Sequence, residues 1–120
     1  MNALERNLNI ISDIVDYCDK IAKSMQRFGD YYALTTDDDY KNSVSMSVLQ
    51  IGEISGRLTE DFKEKYGGVP WREIKAMRNI VTHEYPAMEI DILWQVISEH
   101  VSELCRYCEE ILRENGVEEY

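Results

Sequence analysis

Positive charge is what this 120-residue chain has little of: 13 Lys and Arg stand against 23 Asp and Glu, a formal net charge of −10. Such a surface repels a duplex or a tRNA at long range, so any contact with nucleic acid must rest on a local basic patch. No apolar run approaches the ~20 residues of a membrane span, and the start, Met1-Asn2-Ala3-Leu4-Glu5-Arg6, lacks the apolar stretch of a signal peptide. Cysteine is scarce and odd in number; three of them without secretory context predict reduced thiols and a cytoplasmic setting. There is no Gly-rich phosphate loop, no Ser-His-Asp arrangement and no His-Glu-x-x-His, and the carboxylates show no spacing that singles out a metal pair. No metal and no cofactor is expected. Strand-like alternation, internal repeats and linkers are also missing.

What is present is helical periodicity. Leu4, Leu8, Ile11, Val15, Cys18, Ala22 and Met25 alternate steps of four and three, which predicts an amphipathic helix ending near Phe28-Gly29. Asp30 to Thr36 reads as a connection, with Tyr31-Tyr32-Ala33-Leu34 able to pack or to extend the helix. Thr36 followed by Asp37, Asp38 and Asp39 offers a capping hydroxyl and then carboxylates for a positive first turn. The second helix carries Val44, Val48, Ile51, Ile54, Leu58 and Phe62 to a stop at Gly67-Gly68. Pro70 opens a short third helix, and Pro86 ends it at about His83 or Glu84 by pushing Tyr85 out of the α region. The last helix is expected over about 89–115, with Ile90, Leu93, Ile97, Val101, Leu104, Cys108 and Ile111 inward and Gly116 behind it. These elements predict one domain over residues 1–120, an all-α, up-and-down bundle of four helices, or five if the segment near Tyr31 forms one.

The third helix holds the residues suited to chemistry, in the stretch Arg78-Asn79-Ile80-Val81-Thr82-His83-Glu84-Tyr85-Pro86. Arginine is a permanent planar cation with several donors for phosphate oxygens. Histidine can take or give a proton near neutrality. On a helical wheel Ile74, Met77 and Val81 share a core face, while Arg72, Lys75, Asn79 and His83 form a basic stripe opposite. Arg78 lies about 140° around from His83 on an ideal helix. Either Arg78 reaches around, or the helix tightens before Pro86, or a second copy of the chain completes the site. The same residues also suit a solvated polar face with a histidine near a helix C-terminus.

The Arg-x4-His-x-Tyr pattern of Arg78, His83 and Tyr85 resembles the signature of HEPN ribonucleases, specifically the HepT-like toxins of bacterial and archaeal toxin–antitoxin pairs. Pro70-Trp71 at the head of the motif helix, Asn79 after the arginine, and Ile51-Gly52-Glu53 in an earlier helix extend the resemblance over most of the chain. Thr82 stands where that family more often has an aliphatic residue. The resemblance implies an HEPN-like bundle and an endoribonuclease toxin acting as a homodimer whose two motif helices meet in a cleft. Its partners would be an RNA substrate, tRNA or mRNA among the candidates, and a minimal nucleotidyltransferase antitoxin of the MNT type. That enzyme would transfer AMP to the motif tyrosine, here Tyr85. Residue chemistry then assigns His83 to acid–base work and Arg78 to phosphate stabilisation, metal-independently, with Asn79, Lys75 and Arg72 supporting phosphate binding. The rival reading is a non-catalytic module that binds a nucleotidyltransferase or a nucleotide; overall acidity and Glu84 inside the motif favour it.

Other features read as structural. His100 lacks a partner at ligand spacing and is expected partly buried or at the surface. Cys105 and Cys108 share a helix face with no preceding strand, against a redox or zinc role. Gly52 and Gly56, one turn apart with Ser45 on the same side, allow another helix to approach closely, within the bundle or, less directly, across a dimer seam. Glu109-Glu110 and Glu118-Glu119 read as solvated surface or tail.

Overall fold

Asn2 begins the first helix by accepting the Glu5 amide on its side chain at 2.8 Å, and the helix, α1, runs Ala3–Phe28. In the computed structural model the described residues are 1–79 and 87–117, with side chains from Ile90 onward in the second stretch. The buried face of α1 carries Asn7, Ile11, Ile14, Val15, Cys18 and Ile21, whereas Leu4 and Ala22, both expected inward, are exposed. The expected stripe steps by sevens like a coiled-coil seam. A regular helix drifts by ~20° per heptad against that repeat, so burial moves onto Ile14 and Ile21.

Gly29 ends α1 at φ 111°, a left-handed value that only glycine adopts without strain. Residues Tyr31–Thr36 then form a short helix, α2, capped by Asp30, so the segment read as a connection is helical. Helix α3 covers Asp38–Ser55. Its cap is Asp37, one residue beyond the expected Thr36, with the carboxylate accepting the amides of Asp39 at 2.9 Å and Tyr40 at 3.2 Å. Tyr40 is fully buried, stacks on Phe28 and donates its hydroxyl to the Gly29 carbonyl at 2.8 Å, fixing the α1–α3 corner.

The expected second helix is in fact two. It breaks after Ser55 in a tight turn, and Thr59 starts α4, Glu60–Lys65, by accepting the Phe62 amide. The break is fixed from a distance. Asn7 on α1, only 4% exposed, accepts the Thr59 amide at 3.1 Å and donates to the Thr59 hydroxyl at 3.0 Å. The apolar face Val44, Val48, Ile51, Ile54, Leu58 and Phe62 is nonetheless buried throughout, as the periodicity requires.

Pro70 precedes α5, Trp71–Ala76. The end of the chain forms α6, Ala87–Gln95, a π turn over Val96–His100, and α7, Val101–Glu114. All seven inward positions expected of the last helix are buried. The π turn departs from the single regular helix expected, and Val96 and Ile97 within it are both buried. Helix α1 packs on α3 and α7, α5 lies on α3, and α2 lies on α3 and α6. This is an all-α bundle, and no strand occurs among the described residues.

Candidate functional site

Helix α5 is anchored by its first residue. Trp71 is buried and donates its indole N–H to the Tyr66 carbonyl at 2.7 Å, while Ile74 and Met77 face the core as expected. Arg72, Lys75 and Asn79 of the expected stripe are exposed, and so is Arg78. The helix is not regular through it. The Met77 amide bonds the Ile74 carbonyl three residues back at 3.1 Å, a tight turn before helical residues 78 and 79. His83 and Tyr85, with Val81, Glu84, Pro86 and the expected helix end, lie outside the described residues, as do Glu118 and Glu119.

Helix α3 positions Arg78 in two ways. At Gly52 the backbone of the motif segment comes so close that a β-carbon there would stand 2.8 Å from the Arg78 amide nitrogen and 3.2 Å from the Lys75 carbonyl oxygen. One residue on, Glu53 Oε1 meets Arg78 Nη1 at 2.9 Å, in a pair left 37% and 45% exposed. One turn further, the Lys75 stem lies across Gly56, 3.2 Å from where a β-carbon would sit. The small-residue stripe therefore serves packing inside the bundle, and the Ile51-Gly52-Glu53 stretch acts on the motif arginine. The ion pair was not read from the sequence; Glu53 and Arg78 are 25 positions apart, and only the motif resemblance marked both. Among the described residues neither Arg72 nor Lys75 is held in an ion pair.

The remaining candidates are elsewhere. His100 is exposed at the end of the π turn and borders a cavity of about 370 Å³ between α5 and the last helices, lined by Pro70, Ile74, Met77, Val96 and Leu104. This cavity lies on the buried side of α5, away from the basic stripe. Cys18, Cys105 and Cys108 are free thiols at the α1–α7 contact. A hydrogen bond with Cys105, and burial, push the Cys18 thiol above its ordinary range; burial does the same for Cys108. Among the described residues no group of three His, Cys, Asp or Glu side chains is placed to hold a metal ion.

The sequence profile of the family described as "HepT-like: Ribonuclease HepT-like" matches residues 14–111. The chain belongs to the HepT-like family. Among individual relatives, "Putative RNase MJ1380" of Methanocaldococcus jannaschii is 29% identical over 89 residues, covering 67% of this chain and 82% of that protein. "Putative RNase TTE0752" of Caldanaerobacter subterraneus is 40% identical over 63 residues, 52% of this chain and 56% of its own length. "Probable ribonuclease HepT" of Thermococcus cleftensis is 26% identical over 95 residues, 74% and 86% of the two chains. No solved structure matches the chain.

Proposed function

We propose that this protein is an endoribonuclease in which Arg78 stabilises the phosphate and His83 transfers protons. The observation that carries the reading is Arg78 itself. It opens the Arg-x4-His stretch of a HepT-like chain, and its guanidinium is half exposed yet fixed against α3 beside Lys75. In the reaction a base removes the proton of an RNA 2′-hydroxyl and that oxygen bonds to the adjacent phosphorus. The bond from phosphorus to the 5′-oxygen breaks, and an acid protonates the leaving oxygen. A 2′,3′-cyclic phosphate remains, and a cation stabilises the charge that gathers on the phosphoryl oxygens. Two copies of His83 in a homodimer cleft would divide the acid and base work. Asn79, Lys75 and Arg72 extend the phosphate-binding surface. AMP transfer to Tyr85 by a minimal nucleotidyltransferase would place a bulky anion two residues from His83 and switch the site off.

The test is cleavage of RNA in chelator with identification of the cyclic phosphate end. His83→Ala should cost ~10²–10⁴-fold if it transfers protons, and Arg78→Ala should be severe. Full activity of the His83→Ala protein would remove His83 from the mechanism. Co-expression with the transferase should add AMP to the peptide containing Tyr85 and spare Tyr85→Phe. The net charge of −10 favours a second reading, a non-catalytic binding module. Failure of the unmodified protein to cut any RNA would select it.

A further inference from the structure

We propose that Glu53 is a positioning residue for Arg78, so that α3, and not the motif segment alone, sets where the substrate phosphate binds. The inference rests on the ribonuclease reading. A guanidinium carries five N–H donors in a fixed plane, and Glu53 engages it through Nη1 at 2.9 Å. The donors directed away from that contact stay available for a phosphate, which arginine can bind through two parallel bonds. A free arginine side chain samples many rotamers and would have to be ordered at each binding event. Tethered by one nitrogen, it is ordered beforehand.

Both ends of Arg78 are set by neighbouring residues of one helix turn. Gly52 has no β-carbon and lets the Arg78 backbone settle on α3; Glu53 then takes the far end of the side chain. Each residue of the pair is more than a third exposed, and an exposed ion pair adds little to stability. Its loss should therefore register in the reaction and scarcely in the melting temperature. That separates positioning from an ordinary surface salt bridge, which would register in neither.

Steady-state cleavage of a single-stranded RNA oligonucleotide tests this in the wild type, Glu53→Ala, Glu53→Gln, Arg78→Lys, His83→Ala and the Glu53→Ala/Arg78→Lys double variant, each with a thermal melt. Misplacement of a catalytic group by about 1 Å costs on the order of 10²-fold, so Glu53→Ala should lose ~10–10²-fold, mainly in kcat. Glu53→Gln keeps an oxygen able to accept the Nη1 hydrogen and should recover most of the loss. Adding Glu53→Ala to Arg78→Lys should cost little more than Arg78→Lys alone. Wild-type or faster rates for Glu53→Ala, beside an inactive His83→Ala protein, would overturn the role of Glu53 and leave the ribonuclease reading intact. An equal loss in both backgrounds would mean general damage and also overturn it. A wild type that cuts no RNA would overturn the ribonuclease reading and this inference with it.

Discussion

Gly52→Ala sets two rules of protein chemistry against each other. Alanine in place of a glycine inside a helix normally stabilises by ~1 kcal/mol, because the unfolded chain loses less freedom on folding. Here the added β-carbon would sit 2.8 Å from the Arg78 nitrogen, 3.1 Å from its β-carbon and 3.2 Å from the Lys75 oxygen. Two of the three are main-chain atoms, so no rotamer change relieves them. The whole turn from Lys75 to Arg78 must back away from α3 by about 0.6 Å to bring the shortest distance to 3.4 Å. Overpacking of this kind costs ~1–3 kcal/mol, which exceeds the propensity gain. The expected net loss is ~1 kcal/mol, seen as a lower urea midpoint and a melting temperature reduced by roughly 3–6 °C. Activity should fall further, by ~10-fold, since Arg78 moves with the turn. Urea unfolding followed by circular dichroism, paired with the RNA cleavage assay, measures both. A variant about 1 kcal/mol more stable than the parent and fully active would refute the argument.

Asn7→Ala removes the acceptor of the Thr59 amide and the donor to its hydroxyl; it should cost ~1–2 kcal/mol in urea unfolding, with Asn7→Asp recovering part, and an unchanged midpoint would show that α4 needs no tie to α1. Burial raises the Cys108 thiol above its ordinary 9.0, and burial followed by the Asp30 charge raises the Tyr40 phenol above 10.0. Groups raised on folding contribute stability that is complete below their unfolded values and is lost as pH climbs past them. The urea midpoint should therefore hold up to about pH 8.5 and decline above pH 9, less steeply in Tyr40→Phe; a flat profile to pH 11 would contradict the burial of both.

The long-range logic of the bundle was legible because apolar spacing is a property of one helix read alone. Ile90 through Ile111 and Val44 through Phe62 are buried as their periods require. What escaped the sequence depends on partners far along the chain. The break between α3 and α4 is signalled locally by Thr59 followed by Glu60 and Asp61, the same sign used to start α3, yet the unbroken apolar period through Leu58 masked it. Burial of a polar Asn7 on an apolar face has no local signal, because its partner Thr59 lies 52 residues away. The π turn has no composition of its own: adjacent buried residues such as Val96 and Ile97 occur in regular helix too, as Ile14 and Val15 do in α1. At the site, residue types and spacing marked Arg78, but not the carboxylate that holds it.

An acidic protein and phosphate chemistry are compatible because the two act at different distances. At physiological ionic strength charges beyond ~8 Å are largely screened, so the net −10 weakens the approach of RNA more than its contact. On the ribonuclease reading proposed above, contact would be left to Arg72, Lys75 and Arg78, all exposed. Three cations facing single-stranded RNA would release counterions for a salt slope of about −2 per copy of the chain. The share of Arg78 held by Glu53 and the neighbouring Glu73 reduce it further. Such a surface cannot retain nucleic acid by charge alone. On that proposal, selection would fall to whichever RNA places a phosphate where α3 holds the arginine. On the same proposal, a single anion added at Tyr85 would offset one of the three cations Arg72, Lys75 and Arg78.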